Sequence, residues 1–245
     1  MTSFLVVIED NRGSVHRMSK EAIAGAQNLD GNVTALVLGA NAESLAQELS
    51  SFEIDKILIV NHDMVLTYNS DGYTEVVTKV IQSIDPDVII AGHSYQTRDF
   101  MPRVSARLDI PFIPDITMVI EDNYTKQVLN AKLNCTISSS SEKIILSFQS
   151  ACFSEEDIQN GSSSSETIDI ELDSSKVKSI SEEPFQESAS EVDLESADLI
   201  VSVGRGIEKE ENTSIAFDLA SVLSAEVSAS RPVVDAGWLP SSRQV

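Results

Sequence analysis

Cysteine is scarce in this chain of 245 residues: Cys135 and Cys152 are the two present, and they form no CxxC. That scarcity excludes a disulfide framework or a cysteine-built zinc site and fits a reducing compartment, with each thiol acting as small core filler. Histidine is equally sparse. His16, His62 and His93 are scattered, with no HExxH and no adjacent cysteine, so no metal centre is expected. Basic residues number 17 against 39 acidic ones, a formal net charge of −22. Such a surface repels nucleic-acid phosphates and anionic lipid, and predicts neither a nucleic-acid partner nor membrane insertion. It favours basic protein partners, although a plain solvated acidic surface has the same composition. No apolar run approaches roughly 18 residues, the length a membrane-spanning helix needs. No Walker A, no GxSxG and no glycosidase-like carboxylate pair is present. With no catalytic base beside a nucleophile to serve, the chain is not expected to be an enzyme. The N-terminus enters a strand at once and carries no basic leader, which predicts a cytoplasmic location if Met1 is the native start.

What is present is a substantial apolar fraction, 42%, enough for a sizeable core. The first part alternates short apolar runs with helix-length segments. Strands are expected over residues 4–8, 33–38, 56–60 and 88–91. Helices are expected over 14–29, 42–50, 71–84 and 97–108, with Pro102 in the first turn of the last or bending it. Alternation of this kind implies βαβ units and a parallel sheet. Runs 115–121, 127–134, 143–149 and 167–172 then read as successive strands without helices, expected to extend the sheet in antiparallel fashion or to form a flap on it. Residues 174–195, rich in Ser, Glu and Asp, read as a linker or exposed excursion, and a domain boundary is placed there, giving domains 1–190 and 191–245. Alternation resumes with a buried strand over 197–203 and a helix over 212–223, with Ile215, Leu219 and Leu223 in register.

Three constellations could carry chemistry. Gly204-Arg205-Gly206 stands at a strand end, where bare backbone amides and an arginine suit a diphosphate. Lys209 fills the place of a third glycine, so an ordinary glycine-permitted turn remains an alternative. Ser228-Ala-Ser-Arg-Pro-Val-Val-Asp-Ala-Gly-Trp238 offers a small-residue run, the hydroxyl of Ser230 and the guanidinium of Arg231, whose backbone Pro232 biases toward an extended form. A loop with a surface arginine reads equally well. Asp99, Arg103 and Arg107 are spaced four apart and read first as helix-surface ion pairing. Glu9-Asp-Asn-Arg-Gly13, the loop after the first strand, sets two carboxylates where a phosphate would sit and is a poor nucleotide cradle.

The segments Val201-Ser-Val-Gly-Arg-Gly206, Ser228 to Trp238 and Arg243-Gln-Val245, in this order and spacing, resemble the electron transfer flavoprotein α subunit. Pro86-Asp-Val-Ile-Ile-Ala-Gly92, Pro102-Arg-Val-Ser-Ala-Arg-Leu108 and Pro114-Asp-Ile116 are similar to that family's first domain. The resemblance implies an α/β fold: a mostly parallel Rossmann-like sheet (adenine nucleotide α-hydrolase-like) with added antiparallel strands, then the start of a doubly wound FAD-binding domain. It implies FAD as cofactor, a heterodimer with a β subunit, and electrons passed from flavin dehydrogenases to a membrane quinone reductase. Carried over by position, Gly204, Arg205 and Gly206 fall at the FAD diphosphate. Ser230 and Arg231 fall beside the flavin ring, where a fixed cation would favour its anionic forms. Gln244 and Val245 open a further FAD-contacting loop. Val203 and Ser228 stand where the family usually has glycine. Leu129-Asn130-Ala131 stands in place of a glycine-rich turn. The chain ends at Val245, where the family continues, so the flavin site is expected to be incomplete. A partner-binding scaffold without its own flavin, and a stand-alone nucleotide-binding domain, are the alternatives.

Overall fold

The computed structural model describes residues 1–182, 194 and 197–245. They fall into two compact units, Met1–Glu183 and Pro184–Val245. The boundary expected between residues 190 and 191 lies outside the described residues.

In the first unit, β1 (Thr2–Val7) is buried on both faces: Phe4 and Val6 enter one core, Leu5 and Val7 the other. This two-sided burial accounts for its unbroken apolar run. A small hairpin of β2 (Asp10–Asn11) and β3 (Ser14–Val15) follows. The helix expected from residue 14 therefore starts later, as α1 (Arg17–Asn28). His16 caps it, its Nδ1 accepting from the Met18 amide at 3.2 Å. β4 (Gly31–Leu38), α2 (Ala42–Leu49), β5 (Lys56–Val60), α3 (Ser70–Ile84) and β6 (Val88–Gly92) then lie close to their expected spans. α4 (Tyr95–Leu108) begins at the Ser94 cap, so Pro102 is in the helix interior and not in the first turn. Proline has no amide hydrogen, which leaves the Arg98 carbonyl without its usual donor four residues on. α1 and α2 pack on one face of the sheet, α3 and α4 on the other.

β7 (Phe112–Ile120), β8 (Asn123–Val128), β9 (Leu133–Ile137), β10 (Ile144–Phe148) and β11 (Ser165–Thr167) complete a nine-stranded sheet ordered β11-β5-β4-β1-β6-β10-β7-β8-β9. Only β8 runs against the other strands, so its pairings with β7 and β9 are the antiparallel ones. Three expectations need correction. The run 127–134 is not one strand. Leu129, Asn130 and Ala131 have φ of +54°, +55° and +60° and turn the chain between β8 and β9. The run 143–149 does not extend an antiparallel edge. β10 lies parallel between β6 and β7, and its five residues are all buried, as a central strand's are. Of the run 167–172 only Thr167 lies in a strand, at the end of β11, which pairs parallel to β5 at the far edge; Ile168, Ile170 and Leu172 then pack on the α3–α4 core.

Residues 174–182 of the expected linker are an exposed strap fastened to α3. Lys176 Nζ lies 3.3 Å from Glu75, the Lys178 amide donates to Asp71 at 3.0 Å, and the Ser179 and Ser181 hydroxyls donate to Asp71 and the Tyr68 carbonyl. The remaining linker positions, 183–193, 195 and 196, lie outside the described residues.

The second unit contains β12 (Ile200–Val203), α5 (Thr213–Leu223), β13 (Glu226–Ala229) and the short α6 (Arg231–Asp235). β12 and β13 pair in parallel. Two expectations fail here. Leu199 and Ile200 are exposed, at 53% and 41%, so this strand is not wholly buried. α5 turns Ala216 and Ala220 inward, while Ile215, Leu219 and Leu223 face out. Both sets share helical spacing, and the alanines let the helix backbone approach β12 closely.

Candidate functional site

β12 and β13 end level, with Val203 opposite Ala229. Because the strands are parallel, the loops leaving them emerge at the same edge, where ligands of open α/β sheets bind. Gly204-Arg205-Gly206 leaves β12 and Ser230-Arg231 leaves β13. On the outer side of β13, Gln244 bridges Ala229 in parallel and the Val245 amide donates to the Ala229 carbonyl at 3.0 Å. All seven residues singled out in the sequence therefore lie at or beside one end of one small sheet.

The glycines discriminate between a structural and a ligand-driven reason for being there. Gly237 has φ of +76°, a backbone demand that glycine meets best. Gly204 and Gly206 have no such conformation, and a Cβ built on either would meet nothing within 4 Å. Neither backbone geometry nor internal packing in this chain requires them. A bare backbone in open space suits a ligand that comes close to the amides, so the donor set fits a diphosphate.

The charged and polar groups fit the same reading. Arg205 is exposed and, among the described residues, pairs with no carboxylate, in a chain with 39 acidic residues to 17 basic ones. Arg231 is 77% exposed and meets Asp235 at 3.6 Å, a loose surface pair. The extended conformation expected of Arg231 belongs instead to Ser230 (φ −71°, ψ 152°). Arg231 opens α6 with Pro232 in its first turn, where a missing amide hydrogen is harmless. The Ser230 hydroxyl makes no capping bond, which leaves it available. Behind the edge, Ser202 and Ser228 share a hydroxyl–hydroxyl bond of 2.7 Å, with Ser228 fully buried. A serine replacing glycine at 228 thus has a partner across the sheet.

The other polar clusters are consumed by the fold. Arg103 meets Asp71 at 3.2 Å and Asp99 at 3.5 Å, and Arg107 is bonded to Glu75, so this constellation locks α4 to α3. At the switch between β1 and β6, where such a sheet would bind a nucleotide, the Ser94 hydroxyl donates to Glu9 and Asp10 Oδ1 accepts from Gly13. His93 Nδ1 lies 2.8 Å from the Ser147 hydroxyl and its Nε2 3.8 Å from Asp115. Burial lowers the His93 pKa against the opposing pull of Asp115. Ser147 is fully buried and is no nucleophile. Burial pushes the Cys152 thiol up to about 11, so this cysteine is inert near neutrality. No group of three potential metal ligands occurs among the described residues, and none of their helices is long and apolar enough to cross a membrane.

Comparison with known proteins bears on the family. The family model of the electron transfer flavoprotein domain matches residues 4–174, and that of the electron transfer flavoprotein FAD-binding domain matches residues 193–245. The chain is 31% identical over 249 residues to the electron transfer flavoprotein subunit alpha of Bacillus subtilis, covering 98% of this chain and 76% of that protein. It is 32% identical over 254 residues to the probable mitochondrial electron transfer flavoprotein subunit alpha of Caenorhabditis elegans, covering 100% and 74%. It is 26% identical over 251 residues to the protein FixB of Clostridium saccharobutylicum, covering 98% and 75%. The chain therefore belongs to the electron transfer flavoprotein α subunit family.

Proposed function

We propose that this chain is the flavin-holding subunit of a two-subunit electron carrier. It takes electrons from flavin dehydrogenases through FAD and passes them toward a membrane quinone reductase. The observation that carries the proposal is the pair Gly204 and Gly206, bare and without a structural reason to be glycine, beside Arg205, which pairs with no carboxylate among the described residues. FAD, when bound, supplies reversible electron uptake. The protein's part is placement and electrostatics. Arg205 holds the diphosphate with a full charge among bare amides. Ser230 and Arg231, at the end of the neighbouring strand, face the ring, where a fixed cation favours added negative charge and raises the reduction potential. Gln244 and Val245 flank them from the outer side of β13. The partner is a β subunit, and an acidic surface of net charge −22 suits basic docking faces on the proteins that exchange electrons with it. A stand-alone nucleotide domain is disfavoured, because Glu9 is bonded at the α4 N-terminus where a phosphate would lie.

The test is Gly204→Ala and Gly206→Ala in the full-length α subunit coexpressed with its β subunit. The added methyl meets nothing in the chain, so the melting temperature of the flavin-free protein should stay constant or rise by the equivalent of about 0.5 kcal/mol. Flavin absorbance retained through purification should fall. Wild-type heterodimer without flavin bands, or alanine variants with full flavin content, would refute the assignment.

A further inference from the structure

Beside the proposed flavin edge, one side chain stands in for its own backbone. Gln244 is opposite Ala229, and the Val245 amide donates to the Ala229 carbonyl. In a parallel ladder the equivalent acceptor two residues back, the Val227 carbonyl, should receive the Arg243 amide. That amide is turned into the preceding loop, where it donates to the Pro240 carbonyl at 3.1 Å. The Arg243 guanidinium fills the vacancy: Nη1 donates to the Val227 carbonyl at 2.8 Å and lies 3.4 Å from Glu226 Oε2. Its Cζ sits 5.7 Å from the centroid of the Phe217 ring on α5, and the side chain is only 21% exposed. One residue thus ties the C-terminal segment to both β13 and α5.

We infer that Arg243 is a positioning residue for the flavin site: it fixes the register in which Gln244 and Val245 lie against β13, beside Ser230. The inference rests on the flavin reading above. A rigid pin matters here because a one-residue slip along a strand turns each side chain to the opposite face. Gln244 would then point away from the Ser230 edge, although the segment itself remained paired. Arginine suits the task because one planar fork can serve a carbonyl and a carboxylate together.

The experiment is a double-mutant cycle on FAD affinity in the full-length heterodimer, using Arg243→Met, Gln244→Ala and both together. A charge-assisted bond is lost in Arg243→Met, so the FAD dissociation constant should rise about tenfold. In the Gln244→Ala background the same substitution should change it less than about twofold, because there is no side chain left to place. Arg243→Lys keeps a donor within reach of the Val227 carbonyl and should recover most of the affinity. Melting of the flavin-free protein is followed in parallel. If Arg243→Met prevents folding, Glu226→Gln, which loosens the guanidinium from one side, enters the cycle in its place. Additive effects of the two substitutions, or an unchanged dissociation constant in Arg243→Met, overturn the inference. Wild-type protein that does not bind FAD refutes the function proposed above instead, so the two failures are distinguishable.

Discussion

Glu75 is the best place to perturb the first unit. It lies on α3 with its side chain only 4% exposed, and it is held between Arg107 on α4 and Lys176 on the strap. Glu75→Gln preserves shape and removes the charge. The bond from Arg107 then changes from an ion pair to a bond between a cation and a neutral amide, a loss of about 1–1.5 kcal/mol. The Lys176 pair contributes less. Its ammonium is 53% exposed, and such pairs are worth about 0–1 kcal/mol. Breaking a fully buried pair costs about 3–5 kcal/mol, because a charge is stranded, but here Arg107 is 38% exposed and can turn to water. The expected loss is therefore about 1–2 kcal/mol. That corresponds to a fall of about 2–8 °C in melting temperature. The strap should loosen as well. Trypsin cleaves after lysine, so cleavage at Lys176 and Lys178 should accelerate, and it should do so again in Asp71→Asn, which weakens the grip on the Lys178 amide and the Ser179 hydroxyl. Unchanged melting together with unchanged cleavage in Glu75→Gln would refute the clamp.

Two further outcomes follow from local geometry. Ala131 has φ of +60° in the turn between β8 and β9, a region disfavoured for residues with a Cβ, so Ala131→Gly should stabilise by about 0.5–1 kcal/mol in urea denaturation; a loss of stability would show that the turn holds without strain. Burial lowers the folded pKa of His93 below its ordinary 6.5, and the neutral ring is bonded to Ser147. A depressed folded pKa gives stability that is present above the unfolded value and lost as pH falls through the folded one. Stability should therefore decline below pH 6.5, and a pH series in which His93→Gln keeps the same slope would count against it.

Much of the first unit is legible in the sequence because strands buried on both faces write themselves as solid apolar runs. β1, β4, β5 and β6 do so, and the helices between them carry caps such as Asn69 and Ser94. What the sequence hides is non-local. β10 is a solid run of the same kind, but nothing in Ile144-Ile-Leu-Ser-Phe148 says that it inserts between β6 and β7. The turn at Leu129-Asn130-Ala131 lacks the glycine that would announce it, so the run through it imitates a strand. In α5 two sets of residues have helical spacing, and close approach to β12 decides for alanine over leucine. The strap looks like a linker by composition because its anchors, Asp71 and Glu75, belong to a helix far upstream. At the site, Gly204-Arg205-Gly206 and Ser230-Arg231 are visible as motifs. Arg243 opens one of the segments that carry the family resemblance, but nothing in that segment states its role, which depends on an amide that turns away from its ladder.

The arginines separate framework from function by the company they keep. In a chain with more than two acids for each base, four arginines that serve the fold find a carboxylate, while Arg98 lies over the Tyr95 ring instead. Arg17 meets Glu21, Arg103 meets Asp71 and Asp99, Arg107 meets Glu75, and Arg243 meets Glu226. Arg205 meets none among the described residues, and Arg231 meets only an exposed Asp235 one turn along its own helix. Neither contributes much to stability where it stands. Both stand at the end of the same two strands, beside glycines that neither φ nor packing requires. On the function proposed above, residues that contribute little to the fold and share one edge are accounted for by an anion that the fold itself does not supply. A diphosphate and an electron-accepting ring, carried in one cofactor, call for both arginines at once.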